Sequence, residues 1–341
     1  MTTPNRSELL FVYDAQDCNP NGNPIGDNRP RRDPDTGQGI ITDVRLKRYL
    51  RDQLQDDGYD IYVKKVDGEA KTRTTLIKNT LDMVGDAEEI EDVEDLGTDF
   101  LQAAADVRYF GATLSFESSD DEEDEAFREG LNDALPNHYQ GPVQFLPAKS
   151  LNKVEENEEY DSLTSVISTG EENRQGGFGL DDKRIKYGIF PFWGLVDNNG
   201  AESTQLDQED VERLDTLCWR ALKNQTTSRS KLGQEPRLYL RVEYTEGNYH
   251  VGGLHEMLDL GEGTEESIRS VSDVVVDGSE LVEALDSAQD RIKQIHIVGD
   301  DRLTVAVDGE TMDGEEFATH LESEGHDVHR IDVLNERDLA A

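Results

Sequence analysis

Residues 6–51 read RSELLFVYDAQDCNPNGNPIGDNRPRRDPDTGQGIITDVRLKRYLR, and their reading decides the fold. A strand of alternating apolar residues (Leu10, Val12), over about Glu8–Tyr13, runs into a long loop from Asp14 to Gly39. That loop contains Asn19-Pro20-Asn21-Gly22-Asn23-Pro24, a run of turn formers. A helix follows. Thr42 suits its N-cap, and Asp43 suits the positive end of its dipole. On a helical wheel Leu46, Tyr49, Leu50 and Leu54 share one side, and Arg45, Lys47, Arg48 and Arg51 share the other. The segment holds 8 Lys/Arg against 7 Asp/Glu, whereas the rest of the chain holds 26 against 68. A near-neutral, arginine-bearing island in so acidic a chain points to a polyanion.

The 341 residues allow one large domain with insertions, or two domains. The net charge is −41, yet 35% of the residues are hydrophobic, so a core can form. An acidic disordered chain would lack periodic apolar runs, which this one has. The composition instead fits a cytoplasmic protein from a cell with molar internal salt, where screening quiets the repulsion among surface carboxylates. Cys18 and Cys218 form neither a disulfide framework nor a metal motif. No apolar run reaches the length of a membrane span.

Further along, 60–66 (DIYVKKV) reads as a strand, 71–105 as mostly helical, and 108–116 (RYFGATLSF) as a strand. The acid-rich stretch 118–130 reads as surface. GPVQFLPAKS (141–150) reads as one strand ending at Lys149 and Ser150. The polar stretch 151–182, with Gly170, Gly176, Gly177 and Gly179, suggests a projecting hairpin or arm. A strand over 184–196 and a helix over about Gln208–Leu222 follow. Residues 219–241 then form a second positive island, with six basic residues and one acidic. The part after 256 is strongly acidic, with short strands (IHIVG, LTVAV, VHRIDVL) and a helix near 315–323. This mixture is an α+β pattern and not a regular βαβ series.

Three groups suit phosphate. One is the loop holding Asn19, Asn21, Gly22, Asn28, Arg29, Arg31 and Arg32, where free backbone donors stand beside arginines. The second is the helix face of Arg45, Lys47, Arg48 and Arg51. The third is Ser228, Arg229, Ser230 and Lys231, followed by Arg237. Each also has a plain structural reading, as a turn-rich loop or a solvated face. Asp14, Asp17 and Asp27 could hold a divalent metal for phosphodiester cleavage, though three acids in so acidic a chain are weak grounds. Gly299-Asp300-Asp301 reads as a hairpin turn, and His250 and His255 are not at metal spacing. Tyr109, Phe110 and Phe116 approximate the alternating aromatics of an RNA-recognition strand but fit a core better. No P-loop, G-x-S-x-G or C-x-x-C is present, and no cofactor or metal is expected.

With these residues assembled, the chain resembles the Cas-seven family, the repeated backbone subunit of type I CRISPR surveillance complexes (Cascade). It is most similar to the I-B branch in a haloarchaeal version. The resemblance rests on four stretches in order: the opening strand with NPNGNP…NRPRRDPDTG and TDVRLKRYLRD; DVRYFGATL; GPVQF…KSLNKV; and SRSKLGQEPRLYLRVEY. It implies a modified RNA-recognition (ferredoxin-like) palm made of 1–60, 106–150 and 184–255. It further implies a finger-like insertion over 61–105, a thumb-like arm over 151–183, and an acidic part, 256–341, packed on the palm. By position, the first loop, Arg45, Arg48, Lys149, Ser150 and the SRSK loop would line CRISPR RNA. The partners implied are that RNA, target DNA through the guide, further copies in a helical filament, and other Cascade subunits. No catalysis is implied. The alternatives are a metal-dependent ribonuclease of the type III backbone kind and a generic RNA-recognition protein. Asn23 stands where related sequences commonly carry Asp, which weakens the nuclease reading.

Overall fold

The computed structural model describes residues 2–333 apart from 87–88, 91–92, 118–121, 159–161, 166–177, 182, 227, 229, 246 and 265–266. Its centre is a six-stranded sheet. The strands are β1 (Ser7–Cys18), β2 (Val143–Phe145), β3 (Ile185–Val196), β4 (Gln234–Tyr244), β5 (Ile292–Gly299) and β6 (Val328–Arg330), in the order β6-β5-β4-β1-β3-β2. All neighbours are antiparallel except β5 and β6. Between β1 and β2 the chain forms helix α1 (Asp43–Asp56), and between β3 and β4 it forms helix α2 (Gln208–Lys223).

β1 is apolar without interruption from Leu9 to Tyr13, and both of its faces are buried. Leu9, Phe11, Tyr13 and Ala15 face α1 and α2, joining Leu46, Tyr49, Leu50 and Leu54 of α1 and Leu214, Leu217 and Leu222 of α2. Leu10 and Val12 face the opposite way, into a core with Leu254, Leu258, Val276, Leu281, Leu285, Val305, Phe317 and Leu321. The acidic C-terminal part therefore lies across the sheet. It adds β5 and β6 and a small four-stranded sheet of Asp259–Leu260, Val275–Asp277, Thr304–Val307 and Glu310–Asp313.

Charged pairs tie the layers together. Asp215 of α2 takes both arms of the buried Arg241 of β4, at 2.6 and 2.7 Å. Arg237 bridges Asp14 of β1, at 2.8 Å, and Asp300 beyond β5, at 2.9 Å. A third core gathers residues between 62 and 135, among them Tyr62, Ile77, Phe100, Leu101, Val107, Phe116, Phe127 and Leu131. It runs past residue 105.

Several expected strands take another form. Residues 60–66 are irregular because the carboxylate of Asp106 accepts the Tyr62 and Val63 amides, at 2.7 and 3.2 Å, in place of a strand partner. In RYFGATLSF only Gly111–Thr113 is extended, and the residues before it close the helix Ala105–Phe110. Arg108 there grips Asp210 at 2.8 and 3.0 Å, and the Tyr109 hydroxyl donates to the Asp210 carbonyl at 2.7 Å. GPVQFLPAKS divides at Pro147 into β2 and the strand Ala148–Lys153, which pairs with Gln38–Ile41 in a separate sheet. The acid-rich stretch runs into the helix Glu122–Ala134, whose Phe127 and Leu131 are in the core. Gly299-Asp300-Asp301 joins two different sheets, so it is not a hairpin turn.

Candidate nucleic-acid interface

Two of the three groups marked in the sequence meet at one end of the sheet, beside the start of the third. β1 ends at Cys18, and Asn19 there donates its backbone amide to the Ser230 carbonyl at 2.8 Å. Three residues earlier, Gln16 donates to the Gly233 carbonyl at 2.8 Å. A Cβ on Gly233 would lie 2.2 Å from the Gln16 carbonyl oxygen, and its φ is +113°, so the approach of the two segments requires glycine. The Lys231 ammonium donates to the Asn19 carbonyl. The Asn19 side chain donates to the Asn28 carbonyl at 2.7 Å, folding the loop back on itself. Arg31 donates its amide to the Asn21 carbonyl at 3.1 Å, and Gly22 pairs with Pro30 in a two-residue ladder. The loop is therefore a built structure, with Asn19 and Asn21 buried and Asn28, Arg29 and Arg32 exposed.

Helix α1 begins beside it. Thr42 caps the helix by accepting from the Arg45 amide at 3.3 Å. The four cations of this helix divide. Arg45 lies over the Tyr49 ring, 5.7 Å from its centroid, and has no carboxylate partner among the described residues. Lys47 donates to Gln144 at 2.7 Å and lies 3.6 Å from Asp43. Arg48 binds Asp52 at 2.9 Å and the Val63 carbonyl at 2.9 Å. Arg51 is committed to the fully buried Asp106 at 2.7 Å and lies over Phe110.

The structure gives three expected contact residues a different place. Arg51 holds Asp106. Arg237 is 4% exposed between two carboxylates. Ser150 is fully buried, its hydroxyl accepting from the Gly39 amide at 2.8 Å and donating to the Asn152 carbonyl at 2.5 Å. Lys149 is exposed and pairs with Asp33 at 2.8 Å, and Arg29 lies 3.6 Å from Glu156. Ser228 and Ser230 stand 3.3 Å apart, hydroxyl to hydroxyl. Arg229 lies outside the described residues.

Electrostatics set Lys231 apart. Burial, and then the nearby Arg45 charge, lower its pKa from 10.5 to about 8. The Cys18 thiol beside it is pushed up to about 12 by burial. Arg29, Arg31 and Arg32 line a cavity of about 470 Å³ with Asn23 and Thr42.

The acids suggested for metal binding do not converge. Asp14 faces Arg237 and the Tyr187 hydroxyl, the latter at 2.9 Å, and burial raises its pKa. The Asp17 side chain accepts from Asn157 at 2.6 Å, and Asp27 is exposed. No group of three or more His, Cys, Asp or Glu among the described residues is placed to hold a metal ion. No described helix is long and apolar enough to cross a membrane.

Sequence reasoning missed Asn157, Arg184 and Gln234. Arg184 donates to the Asp17 carbonyl at 2.7 Å, and the Asn157 amide donates to the Arg184 carbonyl at 2.8 Å. Gln234 reaches both the Tyr49 hydroxyl and the Lys231 carbonyl, at 3.2 and 3.0 Å. Gln234 lies in the SRSKLGQEP stretch, but its Tyr49 partner, like the Asp17 partner of Arg184, is remote in sequence, so only the fold reveals these contacts.

With this geometry in place, comparison with known proteins is informative. The family model "CRISPR-associated protein Cas7" matches residues 5–279. This chain belongs to that family. A relative from Haloferax volcanii, "CRISPR-associated protein Cas7", is 76% identical over 340 residues and covers both chains completely. The fold is similar to a chain of a solved "CRISPR RNA-guided surveillance complex, pre-nicking", with a TM-score of 0.51 and 13% identity, covering 97% of this chain and 98% of that one.

Proposed function

We propose that this chain is the CRISPR RNA-binding backbone subunit of a type I Cascade complex, of the I-B branch, and that copies follow one another along the guide RNA. The guide then pairs with target DNA, and the protein holds its backbone. The observation that carries this reading, in a member of the Cas7 family, is the junction of the Asn19–Arg32 loop, Arg45 and the Ser228–Lys231 loop at one end of a sheet buried on both faces. Both faces of β1 are covered by apolar cores, which favours phosphate-directed groups at the end of the sheet over base stacking as the grip on RNA.

The order β4-β1-β3-β2, with α1 after β1 and α2 after β3, supports reading the centre as a modified RNA-recognition palm. The cluster over 62–135 serves as the finger-like part, and the hairpin Ser162–Ser165 with Phe178–Asp181 as part of the thumb. The subunit is a scaffold without catalytic activity. The nuclease alternative gains nothing from Asp14, whose carboxylate is already engaged by Arg237 and Tyr187.

Sequencing the RNA that co-purifies with the assembled complex tests the proposal. Repeat-derived guides of uniform length are expected. RNA of random origin, or none, would overturn it. Incubation of the complex with target RNA and Mg²⁺ is expected to leave that RNA intact, and cleavage would favour the ribonuclease.

A further inference from the structure

Lys231 looks at first like one more cation for phosphate, but its surroundings say otherwise. Its ammonium points inward to the Asn19 carbonyl, and no described carboxylate is paired with it. The same short span carries the Asn19-to-Ser230 and Gln16-to-Gly233 backbone bonds, and the Gln234 side chain closes on the Lys231 carbonyl. The titratable groups that act on it are Arg45 from α1 and Cys18 from β1, with Asp14, Asp17 and Arg184 around Cys18. The described residues between Lys223 and Gln234 belong to no helix or strand, and the cross-links just described join them to the first loop.

We infer that Lys231 is a positioning residue: it latches the Ser228–Lys231 loop onto the Asn19–Asn28 loop, and Arg45, free of any described carboxylate, is the cation that meets the phosphate. The inference rests on the RNA-binding reading of this site for its consequence, but not for its geometry. A cation donated to a buried carbonyl fixes a shape, while the half-buried Arg45, stacked on a ring with no described carboxylate, keeps its charge available.

The test compares the full chain with Lys231→Met, Lys231→Arg and Arg45→Ala in KCl-containing buffer. Amide hydrogen exchange at Asn19 and Gln16, without RNA, reads the latch directly. Lys231→Met should speed exchange there and leave the β1 amides of Phe11 and Val12 protected, and Lys231→Arg, which keeps a donor, should retain most of the protection. Unchanged exchange at Asn19 in Lys231→Met overturns the latch, whatever RNA does. If Lys231→Met also loses protection at Phe11 and Val12, Lys231→Arg decides: protection at wild-type level supports the latch, and exposure of Asn19 alone in that variant overturns it.

Binding of a fluorescent polyuridine RNA then separates the two cations. Lys231→Met should weaken binding roughly tenfold, the loss of one charge-assisted hydrogen bond, with an unchanged salt slope. Arg45→Ala should weaken binding and lower the slope by about one phosphate contact. A reduced slope in Lys231→Met would make Lys231 a phosphate ligand and overturn the assignment. Failure of the unmodified chain and its complex to bind RNA would overturn the functional reading while the exchange result still decided the latch.

Discussion

Cations on one helix face need not share a task, and α1 shows why. Arg45 has a ring beneath it and no described acid beside it, whereas Arg51 neutralises a carboxylate with no access to water. Arg45→Ala should reduce the RNA recovered per subunit with little change in unfolding midpoint, since a ring contact at such a site contributes only about 0.5–1 kcal/mol. Arg51→Ala should destabilise the fold by about 3–5 kcal/mol, because it leaves Asp106 charged and buried with only two amides for company. Denaturant unfolding in KCl checks both, and equal stability losses would refute the distinction. Lys231 adds a pH signature. Its folded pKa is depressed to about 8 from 10.5, so between those values the unfolded chain holds the proton that the folded chain has released. Stability should therefore rise with pH across that window, and the rise should shrink in Lys231→Met. At this scale the sequence disclosed the packing residues of α1 and its Thr42 cap, because both depend on near neighbours. It could not disclose that Arg51 faces Asp106, or that Arg237 lies between Asp14 and Asp300, because those partners are brought in by the fold.

Elements were legible where their period was clean and their length sufficient. β3, α2 and the helix Gly314–Ser323 lie close to where periodicity puts them. The short strands expected at IHIVG, LTVAV and VHRIDVL are present at Ile292–Gly299, Thr304–Val307 and Val328–Arg330, whereas 60–66 and 108–116 failed because a distant side chain decided them, Asp106 for the first and Asp210 for Arg108 and Tyr109. The uninterrupted apolar run of β1 did carry a signal of burial on both faces, and with it a cover over the sheet. The hairpin of Ser162–Ser165 and Phe178–Asp181 is the element most separable from the rest. Its strands pair with each other and with no other described strand, and the Asn157 amide closes the base by bonding to the Arg184 carbonyl. Replacing residues 159–181 with a short Gly-Ser turn should leave the circular dichroism spectrum and unfolding midpoint nearly unchanged, while particle size on RNA falls. Loss of the folded signal in that variant would show that the hairpin supports the palm.

For the molecule as a whole, charge decides the conditions under which it works. With a net charge of −41, the chain repels itself and any nucleic acid at low ionic strength. In molar salt the screening length is about 3 Å, so long-range attraction between cations and phosphates fades and contacts at hydrogen-bond distance remain. RNA retention by the assembled complex should therefore persist at roughly 2 M KCl, where counterion release would strip an ordinary site with 6–10 phosphate contacts. Below about 0.5 M the fold and the assembly should loosen through carboxylate repulsion. A KCl titration that follows RNA retention and particle size together checks this. Binding that is tightest at low salt and declines steadily as KCl rises would refute it.

The closure at Asn157 and Arg184 also makes the hairpin a natural grafting point. Because the chain enters and leaves between segments bonded across the base, Asn157 to Arg184 and Lys186 to Glu155, residues can be added or removed beyond them without altering the span the palm must bridge. A fluorophore, an affinity peptide or a hairpin of another length could be inserted there as a cassette, and any change in repeat distance would then belong to the insert alone.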